Sequence, residues 1–549
     1  MNFFASKSEK SLDFLNGYYI VSMFNLIKET LMSYRIEQKN GNKIYVYEAT
    51  NHWDPKKKRA QQTRVYLGVK DPRTGEILTP RKDKWKKTQN FTCGVTYAIE
   101  KSTESNHLRE ILEQEFGPED GGQIFSLASY CATEGSPMYL YENWAYQTAG
   151  QNSFARSSQS LSVFLHRLGG DEKSRLRFWA KWAQRHGKNR NLVFDLSSIS
   201  TYSQGMEYAE WGYNRDGEDL PQINVGMIYS DRPGMPLGYK VYPGSVGDVS
   251  TMKNLIHHLV HDLKLAYARL ILDRGFFSNA NIRALDAAGF DYIIPVPASL
   301  QLAKEIWRET ENAFVDESQY FEFNGRLMAC AQVCREYAGE YRSFMVYLDF
   351  DRRRAETQNM LNKLAMVESR FADQNFTSQD EAENFVESVA RGMSKMFSYR
   401  KTAKRYVIRR NPENIHSHAG KFGKLILMPK NFGTDRLSVL ADYFRRDGVE
   451  KFFDTLKNEM DSKRGRVQSQ QTFDGRLFVH MIGLIIYGEI QNRIRKNKSA
   501  LKCNFSFPEI ISHLKRLKQI HSSDGTKVLT ELTAKQKMIF KLLDISAPA

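Results

Sequence analysis

Four polar residues in the last quarter of the chain have helical spacing and side chains that phosphate chemistry uses. Tyr443, Arg446, Glu450 and Lys457 are separated by three, four and seven residues, so a continuous helix over 438–460 presents all four on one face. Apolar residues beside that face would dock the helix on a core: Val449, Phe452, Phe453, Leu456 and Met460. An ordinary amphipathic helix with an Arg446–Glu450 ion pair explains the same spacing. The helix alone therefore does not identify a site.

Two aspartates in strand-like runs change that assessment. Asp195 lies in LVFDLSSIS, and Asp273 ends an apolar run in LILDRGFFS. Two divalent cations can stabilise both ends of a phosphodiester displacement, and Mg²⁺ prefers carboxylate oxygens. We predict that Asp195 bridges two metal ions, whereas Asp273 and Glu450 hold one each.

Three residues on the predicted helix are expected to contact DNA. Arg446 and Lys457 carry the positive charge that would grip phosphates beside the metal ions. Tyr443 would add a single hydroxyl contact from the same face.

The elements around the aspartates predict an α/β fold. Three short strands with tight connections suggest an antiparallel meander, and alternating helices and strands then suggest two crossover units. The predicted strands are 192–196, 223–229, 237–242, 268–272 and 292–296, and the helices are 250–263 and 279–287. This is the strand order of a ribonuclease H-like fold. The first and fourth strands lie side by side in that order, so Asp195 and Asp273 can face each other.

At these residues the sequence resembles a known family. The spacing Tyr443-x2-Arg446-x3-Glu450-x6-Lys457 matches the Tyr-Arg-Glu-Lys signature of bacterial insertion-sequence transposases that use an Asp-Asp-Glu triad. Asp195 resembles the first aspartate of that triad and Asp273 the second. The resemblance implies a ribonuclease H-like core with an insertion before the glutamate. It also implies Mg²⁺, which Mn²⁺ can replace, and a homodimer on paired DNA ends.

The function expected from the resemblance is cut-and-paste DNA transposition. Water would attack at the terminal inverted repeats of the element, and the freed 3′-hydroxyl would later attack target DNA. A non-catalytic transposase-derived repressor and a nuclease on the same fold are the alternatives. The Tyr-Arg-Glu-Lys spacing favours the transposase over both.

Changes in pattern along the chain suggest seven segments. The first two are an extension and a basic β-rich region with a hairpin over 34–48. The helical third segment includes 153–168, which fits a DNA-binding helix-turn-helix or a plain bundle. The catalytic core is interrupted by an insertion and is followed by a basic C-terminal region. The expected boundaries are 1–31, 32–100, 101–188, 189–300, 301–435, 436–497 and 498–549.

Composition agrees with a nucleic-acid partner. The chain has 549 residues, and 79 Lys and Arg against 63 Asp and Glu give a net charge of +16, which favours a polyanion. Five cysteines at unrelated spacings indicate a reduced protein without a zinc site. The longest apolar stretch, 477–487, is too short to span a bilayer. We therefore expect a cytosolic protein that is not associated with a membrane, and the family resemblance implies the bacterial cytosol and the nucleoid.

Overall fold

The computed structural model divides the chain into two compact units. One contains Met1–Gln89 and His521–Thr526, and the other contains Asn90–Ile520 and Lys527–Ala549. The structure describes residues 33–41, 43–54, 57–78, 88–187, 190–214, 216–232, 234–265, 268–402, 405–433 and 435–548. The predicted extension over 1–31 lies outside these residues, as does the stretch 79–87 of the predicted basic region.

The first unit contains a four-stranded antiparallel sheet. Its strands are β1 (Tyr34–Asn40), β2 (Lys43–Asp54), β3 (Arg59–Lys70) and β4 (Ile77–Leu78), paired in that order. Gly41 turns the chain between β1 and β2 with a φ of 59°, a left-handed conformation that glycine adopts without strain. The hairpin predicted around this turn is confirmed.

Helices of the second unit begin where the sequence supplies capping side chains. Ser157, Asp171, Ser278, Ser469 and Thr533 each accept a hydrogen bond from a backbone N–H of the following first turn. The helices are α1 (Gly94–Thr103), α2 (Leu108–Phe116), α3 (Pro118–Glu134), α4 (Tyr141–Gln147), α5 (Ser158–Gly170), α6 (Glu172–His186), α7 (Asp248–His257), α8 (Asn279–Ala287), α9 (Gln301–Thr310), α10 (Phe350–Ala372), α11 (Gln379–Val389), α12 (Pro412–Ala419), α13 (Arg436–Phe444), α14 (Asp447–Asp454), α15 (Gln470–Leu501), α16 (Phe507–Lys515) and α17 (Ala534–Leu542). Among the described residues, no helix is both long and apolar enough to cross a membrane.

A nine-stranded mixed sheet forms the centre of the second unit. The remaining strands of the chain are β5 (Thr88–Thr92), β6 (Asn191–Ser200), β7 (Gln222–Ser230), β8 (Met235–Pro243), β9 (Arg269–Leu272), β10 (Asp291–Pro295), β11 (Tyr320–Phe323), β12 (Arg326–Tyr337), β13 (Glu340–Asp349), β14 (Phe397–Lys401), β15 (Tyr406–Arg410), β16 (Lys424–Lys430), β17 (Lys518–Ser522) and β18 (Lys527–Leu529). The order in the large sheet is β11-β12-β13-β16-β10-β9-β6-β7-β8. The sheet is antiparallel at both ends and parallel at β6, β9 and β10.

Five strands of this sheet agree with the sequence prediction. The antiparallel meander is β6, β7 and β8, and the two crossover strands are β9 and β10. The predicted neighbourhood of the first and fourth strands is also confirmed, because β6 pairs in parallel with β9.

The region expected as an insertion, 301–435, contributes to the same sheet. Its strands β11, β12, β13 and β16 extend the sheet beyond β10, since β16 pairs antiparallel with both β10 and β13. These strands of the expected insertion are therefore part of the central sheet. A second core forms between α10, α11 and the β14–β15 ribbon, where buried residues include Leu364, Val367, Val386 and Phe397. The unpaired backbone groups of an exposed strand edge favour pairing with further strands. The sequence pattern does not reveal which strands pair at that edge.

The long helix α15 crosses α5 at two glycines. A Cβ on Gly169 would lie 1.7 Å from the carbonyl oxygen of Gln471, and one on Gly475 would lie 2.0 Å from that of Leu165. The backbones are therefore closer than any side chain permits. The buried face of α5 is Leu161, Phe164, Leu165 and Leu168, as the bundle alternative requires. A DNA-binding role for this helix stays a prediction.

We predict that Gly169→Ala lowers the free energy of unfolding by about 3 kcal/mol or more, the upper end of the cost of overpacking. The measurement is a denaturant titration followed by circular dichroism. Gly170→Ala is the matched control, because open space surrounds that position in the same helix. Its stability should change by less than about 1 kcal/mol. Equal unfolding midpoints for the two variants would contradict the close helix crossing.

Candidate active site

Parallel pairing of β6 with β9 brings two aspartates side by side. Phe194 pairs with Leu272, so one further step in register sets Asp195 beside Asp273. Partners in neighbouring strands project to the same face of a sheet. Asp195 is buried at 6% exposure, and its Oδ1 accepts a hydrogen bond from the Leu196 N–H. Asp273 follows the last residue of β9 and is more open. The sheet thus presents one fixed and one accessible carboxylate at the same edge.

The segment expected as one helix over 438–460 is instead divided into three parts. Helix α13 ends at Phe444, α14 begins at Asp447, and a π-helical turn covers Thr455–Glu459. Between α13 and α14 the backbone hydrogen bonds tighten to i→i+3, as in the bond from the Arg446 N–H to the Tyr443 carbonyl. The prediction of a continuous helix is therefore wrong, although both parts run in a helical conformation.

Helix α14 packs against the sheet directly after the break that separates it from α13. Gly448 lies so close to the Tyr229 ring that a Cβ would approach it to 2.8 Å, and Phe452 packs on the same ring at 5.0 Å between centroids. The predicted apolar stripe is buried: Val449, Phe452, Phe453, Leu456 and Met460. Arg445 pairs with Asp231 at 2.6 Å and anchors the connection to the end of β7. These contacts fix where α14 presents Glu450.

One guanidinium joins the second aspartate to the glutamate. Arg446 Nη1 donates to Asp273 Oδ1 in a short contact, and Nη2 donates to Glu450 Oε1 at 2.6 Å. The Arg446 side chain is 18% exposed, whereas that of Glu450 is half exposed. The Tyr443 ring lies beside the guanidinium, 5.8 Å away at its centroid. The structure therefore brings Tyr443, Arg446, Asp273 and Glu450 together.

Electrostatics links the buried aspartate to the same guanidinium. Burial lowers the pKa of Arg446, but Tyr443, Asp273, Asp195 and Glu450 outweigh it and raise that pKa above its ordinary value. Burial raises the pKa of the Tyr443 hydroxyl, so this group stays neutral near pH 7. Three carboxylates thus act on one permanent cation.

Lys457 does not join this cluster. Its side chain is 8% exposed and pairs with Asp216 at 2.7 Å, in the connection between β6 and β7. The π turn carries Lys457 in a widened backbone, so the spacing of seven residues no longer measures two regular turns. Sequence reasoning missed Asp216, since it precedes its partner by 241 residues. A phosphate contact from Lys457 would require that this ion pair opens.

The donor set fits a divalent cation in its chemistry. Two carboxylates contact the guanidinium of Arg446, and Asp195 acts on it electrostatically, so Arg446 is a stand-in for a cation beside Asp273 and Glu450. Among the described residues, no three acidic, cysteine or histidine side chains lie close enough together to hold a metal ion. The carboxylates of Asp273 and Glu450 are separated by the width of the guanidinium group that bridges them. With Arg446 turned away, Asp195, Asp273 and Glu450 would be the ligands.

Comparison with known proteins identifies a family for this region. A family model described as "Transposase DDE domain" matches residues 186–486, more than half of the chain. No curated protein sequence matches. Among solved structures, a cryo-EM structure of a piggyBac transposase synaptic complex with hairpin DNA is similar at 8% sequence identity. The TM-score is 0.34, over 76% of this chain and 79% of that chain. The family match includes all three carboxylates and the whole of α13 and α14.

The ion pair of Lys457 and Asp216 gives a prediction about stability. Asp216→Asn should destabilise the protein by about 2–3 kcal/mol, because it leaves a buried ammonium without its partner. Lys457→Met should cost less, since a methionine fills the same apolar surroundings. A double-mutant cycle from denaturant titrations should give a coupling energy of about 1–3 kcal/mol.

The matched control is the pair of Lys463 and Glu218, which joins the same two segments at 3.4 Å with the lysine half exposed. Its coupling should stay below about 1 kcal/mol. Equal coupling energies for the two pairs would show that Lys457 is not held in a buried ion pair.

Proposed function

The chain belongs to the transposase DDE domain family, and from that premise we propose that it cuts DNA at the ends of a mobile element and joins the ends to target DNA. The observation that carries the proposal is the contact of Asp273 and Glu450 with one cation, Arg446, next to the buried Asp195 that the register of β6 and β9 sets beside Asp273. Carboxylates repel one another, so this arrangement needs a compensating positive charge.

We propose that the core is ribonuclease H-like. The support is the order β6, β7, β8, α7, β9, α8, β10 together with the pairing of β6 and β9. In this proposal the insertion before the glutamate consists of the added strands and the second core, and α14 returns the chain to the catalytic face.

The proposed cofactor is a pair of Mg²⁺ ions, with Mn²⁺ as a substitute. Such ions, when bound, stabilise the attacking and the leaving oxygen of an in-line displacement. Asp195 fixes the position of the site, because its buried strand cannot shift without breaking sheet hydrogen bonds. The Glu450 carboxylate can change its position in the site, because its side chain is half exposed on a helix and can change rotamer as DNA enters.

The residues around the carboxylates would hold the substrate. Arg446 and Lys457 are the basic side chains proposed to grip phosphates once they leave their carboxylate partners, and Tyr443 offers a neutral hydroxyl. The net charge of +16 supports a polyanionic partner. We propose terminal inverted repeats and target DNA as the substrates of a homodimer, in a bacterial cytosol.

Replacing any one carboxylate should abolish cleavage and leave DNA binding in place. Asp195→Asn, Asp273→Asn and Glu450→Gln keep side-chain size but remove the charge that attracts a cation. The measurements are single-turnover cleavage of a labelled element end in Mg²⁺ and binding of the same DNA without metal. Cleavage should fall by at least about 10³-fold, comparable to the loss of a dominant electrostatic group.

Asp447→Asn is the matched control, because Asp447 stands on the same helix, is exposed, and is three residues from Glu450. It should cleave at the normal rate. Cleavage near the normal rate by any of the three charge-removing variants would refute the proposed triad. Binding without cleavage by the unaltered protein would favour a repressor derived from a transposase.

A further inference from the structure

The contacts of Arg446 carry an inference that rests on the proposed function and extends it. We propose that Arg446 closes the metal site in the metal-free protein, so that a divalent cation must displace this guanidinium before it can bind. The two Nη groups of its guanidinium already donate hydrogen bonds to Asp273 and Glu450, and Asp195 interacts with it electrostatically. The displaced Arg446 would then be available to a DNA phosphate.

The geometry favours displacement over simultaneous occupancy. A divalent cation would take the same carboxylate groups as ligands, at about 2.0–2.1 Å in the case of Mg²⁺. An oxygen that accepts a charge-assisted hydrogen bond from a guanidinium cannot also approach a second cation without strong repulsion. Only Glu450 is exposed enough to move aside alone. Asp273 must release the Arg446 guanidinium before it can bind a metal ion, so the affinity for metal depends on Arg446.

Binding of Mn²⁺ to the full chain without DNA tests this directly, by isothermal titration calorimetry at fixed pH and salt. Arg446→Gln should bind Mn²⁺ at least about tenfold more tightly than the unaltered protein, since each charge-assisted hydrogen bond is worth roughly one power of ten. Arg446→Lys should fall between them, because one ammonium cannot bridge both carboxylates.

Arg335→Gln is the matched control. Arg335 also bridges two carboxylates, those of Glu305 and Glu309, away from the carboxylate cluster. Its variant should bind Mn²⁺ with unchanged affinity. Thermal unfolding provides a second measurement, in which Mn²⁺ should raise the Tm of Arg446→Gln more than that of the unaltered protein.

Equal Mn²⁺ affinities for the unaltered protein and Arg446→Gln would overturn this inference alone. Failure of every protein to bind Mn²⁺ would overturn the proposed metal chemistry and this inference with it.

An independent observation concerns the ribbon of β14 and β15. Residues 397–410 contain six Lys and Arg and no acidic residue. Phe397, Tyr399, Tyr406 and Ile408 face the second core, which holds the ribbon in place. The register sets Ser398, Arg400, Val407 and Arg409 on the opposite, outer face. We propose that this outer face binds the backbone of duplex DNA.

Acidic side chains of the described residues do not neutralise the outer cations. Arg400 and Arg409 form no ion pair there, whereas Arg410 on the inner face is paired with Glu368 at 2.7 Å. Arg400 and Arg409 are diagonal neighbours across the ribbon and repel each other. A phosphate backbone removes that repulsion, and a two-stranded ribbon has the width of the major groove.

The test measures binding of a duplex of arbitrary sequence in EDTA across a salt series. Arg400→Ala with Arg409→Ala should weaken binding and lower the slope of log K against log salt by about 2, since roughly 0.9 counterions are released per phosphate contact. Arg410→Gln with Glu368→Gln removes an ion pair without net charge between the ribbon and α10 and should change neither quantity. Lys173→Ala with Lys541→Ala removes two exposed charges elsewhere.

An equal change of slope in the Lys173 and Lys541 double variant would overturn the ribbon site, because bulk charge would then explain the effect. Stronger competition by single-stranded RNA than by duplex DNA would overturn it as well. The metal-free binding assay makes the result independent of cleavage, so failure of the proposed triad would leave this measurement valid.

Discussion

Two carboxylates on neighbouring strands and a third on the helix above them repel one another, and this repulsion is the constraint on which the site depends. A protein can hold such a cluster in its ionised form only if a positive charge offsets the repulsion. Here the neutralising charge is Arg446, which reaches Asp273 with one end of its guanidinium and Glu450 with the other. Because arginine stays protonated at every physiological pH, the cluster remains assembled without depending on titration.

The neutralising contact requires that α14 be placed accurately over β6 and β9. Burial of its apolar stripe supplies most of the attraction, and the close approach of Gly448 to Tyr229 sets its distance from the sheet. Arg445 and Asp231 fix the point at which the chain turns into the helix. The two adjacent arginines therefore have separate tasks, one in positioning the helix and the other in compensating the carboxylates.

The surrounding architecture makes this placement rigid. The long helix α15 packs on α5 through glycines that allow backbone contact, and Phe452 also contacts Tyr487 of α15. On the other side, β16 joins the strands of region 301–435 to the central sheet. The insertion thus enlarges the sheet that carries the aspartates, while its own smaller core carries the basic ribbon.

Local sequence patterns were sufficient to predict most of these elements and to single out the candidate side chains. Strand-like runs predicted all five strands that flank the two aspartates, and the turn at Gly41 predicted the first hairpin, because hydrophobic periodicity and glycine conformations are local properties. The family resemblance pointed to the three carboxylates through spacing alone. The apolar stripe of α14 was also predicted correctly, since it lies within a few residues of Glu450.

Only the tertiary structure decided how these groups are paired. The division of the helix over 438–460 depends on contact with Tyr229, and Lys457 turns to Asp216 because a distant loop brings that carboxylate to it. The addition of β11, β12, β13 and β16 to the sheet depends on an open strand edge at β10. Such contacts join residues that are hundreds of positions apart, and their energies come from burial and charge pairing that no local pattern encodes. Sequence therefore specified which side chains could act, and packing specified which of them meet.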